Sequence, residues 1–137
     1  MNGMHFTVAY GCILVAALLP YACAWLAKAH GFGKPRREGG YDNNEPRAWL
    51  AAQTGLSARA NAAQANSFEA LPFFIGAVIV AHQLGASQAL IDTLAVLFVT
   101  LRIVYVALYV AGLAAARSLV WVLALAVNVG ILLAGWR

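Results

Sequence analysis

ALIDTLAVLFVTLRIVYVALYVAGLAAA, residues Ala89–Ala116, decides the fold of this chain. The run is apolar for longer than the ~20 residues a helix needs to cross a bilayer, yet it carries Arg102 near its centre. A charge at mid-bilayer costs about 2.5–3.5 kcal/mol on insertion scales, so it marks either a partner or a working site. The preceding run, Leu56–Ala81, holds Glu69 in the same way. Two further apolar stretches, Phe6–Ala29 and Leu119–Trp136, flank this pair. Only helices and closed barrels satisfy their backbone in lipid, and none of these runs alternates as a barrel strand would. The expected fold is all-α: an integral membrane four-helix bundle, one domain over residues 1–137, with helices at about 6–29, 57–82, 89–113 and 117–136.

Composition agrees. The 137 residues are 63% hydrophobic and 10% charged, with a mean hydropathy of +0.75, which excludes an ordinary soluble domain of this length. The first stretch lacks a basic leader and outruns a signal-peptide core, so it is read as a helix. Cys12 and Cys23 lie on that helix roughly 16 Å apart, beyond disulfide reach. With no CxxC and no Cys/His cluster, thiol–quinone redox chemistry and a metal site are not expected. Both cysteines read as small buried hydrophobes.

Charge fixes the expected topology. Lys28, Lys34, Arg36, Arg37, Arg47 and Arg59 fall in or beside the first connection, and Arg117 falls in the third. The second connection, His82–Gln88, has no Lys or Arg. The positive-inside rule puts the first loop in the cytoplasm and both termini outside. Glu38, Asp42 and Glu45 dilute the basic loop, so a lipid-facing surface is expected rather than a nucleic-acid contact. Residues Gly31–Asn44 read as loop, followed by a short interfacial turn that sets Trp49 at headgroup depth.

Polar residues inside the spans form stripes. Arg59, Asn66 and Glu69 fall within an arc of roughly 80° on the second helix, and Arg102, Tyr105 and Tyr109 share a face of the third. Measured from the loop side, Glu69 and Arg102 match at roughly 16 Å, and Asn66 and Tyr105 at roughly 12 Å. An ion pair between Glu69 and Arg102 is therefore expected as a structural layer. Asn66 and Asn128 read as interhelical hydrogen-bonding residues. Arg59 is equally a snorkelling residue or a ligand contact. His5 and His82 look incidental.

The run RANAAQANSFEALPFF (Arg59–Phe74), then Arg102, Tyr105, Tyr109 and the pair Arg117–Ser118, resembles the membrane-associated proteins in eicosanoid and glutathione metabolism, the MAPEG family. Asn66, Glu69, Pro72 and Phe74 form the most specific part of the likeness. The resemblance implies a homotrimer that binds glutathione near the cytoplasmic face and passes its thiol to a lipophilic small-molecule substrate. By position it implies Arg117 and Ser118 as catalytic residues that activate the thiol. It likewise implies Arg59, Asn66, Glu69, Tyr105, Tyr109 and Lys28 as glutathione-binding residues. It further implies a bacterial inner-membrane transferase or peroxidase. One departure stands out: glutathione-using members carry an arginine where this chain has Ala62, and some carry a basic residue where it has Ala65. A non-catalytic binding protein that kept the bundle and lost the cofactor is the alternative. A small proton-driven exporter is disfavoured, because the membrane acid sits on the second helix and is matched by an arginine.

Overall fold

The computed structural model describes residues 5–137, so the first four residues of the expected domain lie outside it. The described residues form five α-helices: α1 (Val8–Lys28), α2 (Pro46–Ala51), α3 (Gly55–Gln83), α4 (Gln88–Ala111) and α5 (Ala114–Leu133), with two single 3-10 turns between α1 and α2. All but α2 are long and apolar enough to cross a membrane. α1 packs on α3 and α4, and α5 packs on α4 and α3.

Small residues set how closely the first pair approaches. α1 buries Ala9, Cys12, Ala16, Cys23, Ala24 and Ala27, and α3 meets it with Ala60, Ala63, Ser67, Ala77 and Ala81. Without large side chains between them the backbones come close, which is how helices associate where lipid removes the hydrophobic driving force. Large residues fill the other seam: the rings of Phe74 on α3 and Phe98 on α4 stack at 4.2 Å. Both cysteines are free and buried, in keeping with their reading as small buried hydrophobes too far apart along one helix to pair.

Gly112 places the end of α4 two residues before the expected Leu113. Its φ of +78° stops the helix, its N–H donates to Tyr109 O, and Leu113 N–H donates to Leu108 O. This is a Schellman cap, which favours glycine because a Cβ resists that backbone region. The short turn lets α5 begin at Ala114 rather than 117. Arg117 and Ser118 therefore ride on a formed helix, with Arg117 N–H bonded to Leu113 O at 3.0 Å.

At the opposite end a polar lacing joins three helices. Asp92 on α4 accepts the N–H of Ala9 at 2.9 Å and the side-chain amide of Gln88 at 2.8 Å. Ala9 lies in the first turn of α1, where N–H groups have no helical partner and a carboxylate is favoured. Thr7 caps α1 by accepting from Tyr10 N, and its hydroxyl also meets His82 Nε2 at 3.1 Å. Tyr10 stacks on the His82 ring at 4.3 Å. His82 is thus a fastener rather than incidental.

The basic loop is more ordered than its glycines suggest. Tyr41 N–H bonds to Gly31 O at 2.9 Å, and Trp49 on α2 packs against His30 and Tyr41. Pro46 opens α2, where its missing N–H costs nothing. The expected interfacial turn is therefore a short helix, held by an aromatic cluster at the mouth of the bundle.

Candidate functional site

Arg102 organises the polar centre. It is 3% exposed and donates from Nη2 to Asn66 Oδ1 at 2.7 Å. Asn66 Nδ2 in turn donates to Glu69 Oε2 at 3.4 Å. The expected direct Glu69–Arg102 ion pair does not form; among the described residues the one salt bridge is Arg36–Asp42, in the loop. Asn66 lies one turn nearer the loop than Glu69 and stands in the way of the guanidinium. The partnership is therefore shifted by one turn, and an amide relays it.

Two tyrosines and two arginines extend this centre toward the loop. Arg102 lies over the Tyr105 ring at 4.3 Å, Tyr105 meets Tyr109 edge to face at 5.7 Å, and Arg117 lies over Tyr109 at 4.1 Å. Each cation sits on the electron-rich face of a ring. The ladder ties α4 to the head of α5.

Two cavities open beside it. The outer one, about 430 Å³, is lined by Asn66, Tyr105, Arg117, Ser118, Trp121 and Val122. The deeper one, about 200 Å³, lies among α3, α4 and α5, with Asn66, Glu69, Arg102 and Asn128 on its walls. Asn66 and Trp121 border both. Of the residues expected in a site, the fold gathers Asn66, Glu69, Tyr105, Tyr109, Arg117 and Ser118 into this region. The other two have partners elsewhere. Arg59 donates Nε to Val110 O at 2.9 Å, at the end of α4, and Lys28 sits over the Tyr41 ring in the loop.

A model of the MAPEG family matches residues 8–136, nearly the whole chain. The chain belongs to the MAPEG family. No curated protein and no solved structure matches it. As a MAPEG protein with four membrane-length helices, it is a multi-pass membrane protein whose family points to glutathione or eicosanoid metabolism.

Two features of this MAPEG chain escaped the sequence reading. Trp121 separates the two cavities, and its signal was periodicity: Arg117, Trp121, Ala124, Leu125 and Asn128 share one face of α5 at helical spacing. Asp92 was hidden because its partner on another helix is the backbone N–H of Ala9, which no side-chain pattern reveals; only its bond to Gln88 four residues earlier has a readable spacing. Asn128 also departs from expectation. It is 3% exposed, but among the described residues its Oδ1 has no hydrogen-bond partner.

Proposed function

We propose that this chain is a membrane-embedded, glutathione-dependent transferase or peroxidase acting on lipophilic electrophiles. It would work as a homotrimer in the bacterial inner membrane, with the α1–α3 loop cytoplasmic and both termini outside. The observation that carries the reading is the outer cavity, where Arg117 and Ser118 share one space with Asn66 and Tyr105.

When bound there, glutathione would supply a thiolate able to displace a leaving group from carbon or to open a peroxide bond. A free thiol has a pKa of about 8.5, and a nearby cation favours its thiolate. Arg117 supplies that cation, held over Tyr109, and the Ser118 hydroxyl can donate to the sulfur. Asn66, with its amide oriented by Arg102 and Glu69, presents hydrogen-bonding groups to the peptide. A lipid-dissolved electrophile would reach the sulfur through the bilayer.

The fit is good at the thiol end and thinner at the carboxylates. Glutathione carries two carboxylates, for which arginine forks are the natural clamp. Ala62 supplies none, and Arg59 already spends Nε on Val110 O, leaving its terminal N–H groups for one carboxylate. This thinness favours a second reading, a MAPEG-type binding protein without turnover.

Retention on immobilised glutathione, with a thiolate absorbance difference in detergent, tests the first reading; no binding at millimolar glutathione overturns it. Arg117→Ala separates the two readings. A folded variant that loses turnover supports the enzyme, whereas an unaltered chain with no turnover to lose supports the scaffold.

A further inference from the structure

The amino end of α3 meets the carboxyl ends of α1 and α4 and supplies a donor to each. The last carbonyls of a helix have no partner within it. At the end of α1, Ala27 O accepts the hydroxyl of Ser57. At the end of α4, Leu108 O and Tyr109 O take the N–H groups of Leu113 and Gly112. Val110 O accepts Arg59 Nε instead, at 2.9 Å. α4 carries no Lys or Arg in its own last turn, so Arg59 brings from α3 the cation that a helix end favours. The same side chain lies along Gly112, where an added Cβ would stand 3.8 Å from Arg59 Nε.

What the turn carries gives this contact its weight. Gly112 and Leu113 are the whole connection between α4 and α5. Arg117 N–H bonds to Leu113 O at 3.0 Å, so the turn sets where α5 starts and which way Arg117 and Ser118 face. On the other side of the turn, Tyr109 seats the Arg117 guanidinium. A shift of the turn therefore moves both the backbone and the seat of one cation. Displacements of about 1 Å at a reacting group are enough to slow chemistry. Arg59 itself is not among the residues that line either cavity, so its influence on chemistry runs through the turn.

We propose that Arg59 is a positioning residue: by bonding to Val110 O it locks the Gly112–Leu113 turn and so aims Arg117 and Ser118 into the outer cavity. Its catalytic weight rests on the reading of Arg117 as the thiol-activating cation; the lock itself does not need glutathione.

Two substitutions separate the bond from the charge. The amide nitrogen of Gln lies as many bonds from Cα as Arg Nε, so Arg59→Gln keeps a donor for Val110 O and removes the terminal N–H groups. Arg59→Met fills the same length with no donor. Hydrogen exchange in lipid nanodiscs, with no thiol present, reads the lock directly. The peptide over residues 112–118 should exchange about tenfold faster in Arg59→Met, the worth of one charge-assisted hydrogen bond. In Arg59→Gln it should exchange at the unaltered rate, and the first turn of α1 should not change in either variant.

Turnover of glutathione with a model aryl halide then reads the aim. Arg59→Met should lower kcat about fivefold and move the pH–rate profile to higher pH, because a displaced cation favours the thiolate less. Arg59→Gln should keep kcat and the profile, with any loss confined to KM. Equal losses in both variants with unaltered exchange would make Arg59 a ligand contact and overturn the proposal. So would unaltered exchange and turnover in both, the mark of a snorkelling side chain. Should Arg59→Met not fold, Arg59→Gln decides: native exchange and kcat uphold the lock, and fast exchange overturns it. A turn that loosens in Arg59→Met, on a chain that never turns glutathione over, upholds the lock and overturns only the enzyme reading.

Discussion

The guanidinium of Arg117 stands 4.1 Å from the ring centroid of Tyr109, so a residue of α4 aims a cation carried by α5. Tyr109 in turn rests against Tyr105, and Tyr105 against Arg102. The candidate thiol-activating group is thus fixed from below by a chain of rings and charges rather than by an acid.

Removing the ring should loosen that aim. Cation–π contacts contribute about 0.5–1 kcal/mol at exposed sites, so Tyr109→Leu should lower kcat two- to fivefold with a model aryl halide. Tyr109→Phe should keep most of the rate. Equal losses in the two variants would transfer the role to the phenol hydroxyl.

Arg102→Leu should damage assembly before chemistry. It strips the charged donor from Asn66, and a buried hydrogen bond to a charged group is worth about 1.5–3 kcal/mol. The expected result is a lower thermal midpoint in detergent and loss of the native oligomer on size exclusion. A variant that stays folded and assembled, lacking only turnover, would reverse this order.

Ala62→Arg should gain function. If the scarcity of cations limits glutathione, a guanidinium on the same side of α3 can pair with a carboxylate. Calorimetry should show affinity rising about tenfold, equivalent to about 1.4 kcal/mol. Unchanged affinity would mean that the ligand carries no carboxylate at that place.

Asp92→Ala should destabilise without touching the site. It leaves Ala9 N–H and Gln88 without their acceptor, at a cost of about 1–3 kcal/mol. Hydrogen exchange should quicken in the first turn of α1, while glutathione binding stays as it was. A fall in binding would reveal coupling along the length of the bundle.

The fold was legible because lipid narrows the choices. Four runs of sufficient length, none alternating, leave only helices, and the motif around Asn66 and Glu69 pointed to the family. Pairing was harder to read. Depth arithmetic matched Glu69 with Arg102, but a long guanidinium reaches along as well as across, and Asn66 intercepts it. Arg59 looked equally suited to ligand or lipid, and its carbonyl partner at Val110 depended on where α4 stops. Gly112 held that information in its φ angle, which composition alone does not display. Trp121 and Asn128 stood on a readable stripe, but which neighbours they lacked depended on three helices at once.

The lacing of Thr7, His82, Gln88 and Asp92 is one of two seams. It stitches three helices by side chains that bond to a helix start and to each other. The loop end carries the second: Ser57 Oγ donates to Ala27 O, Arg59 Nε donates to Val110 O, and Arg117 rests on Tyr109. Rods bound at both ends bow rather than splay. Breathing of this bundle should therefore be widest at its waist, beside Arg102 and the cavity walls.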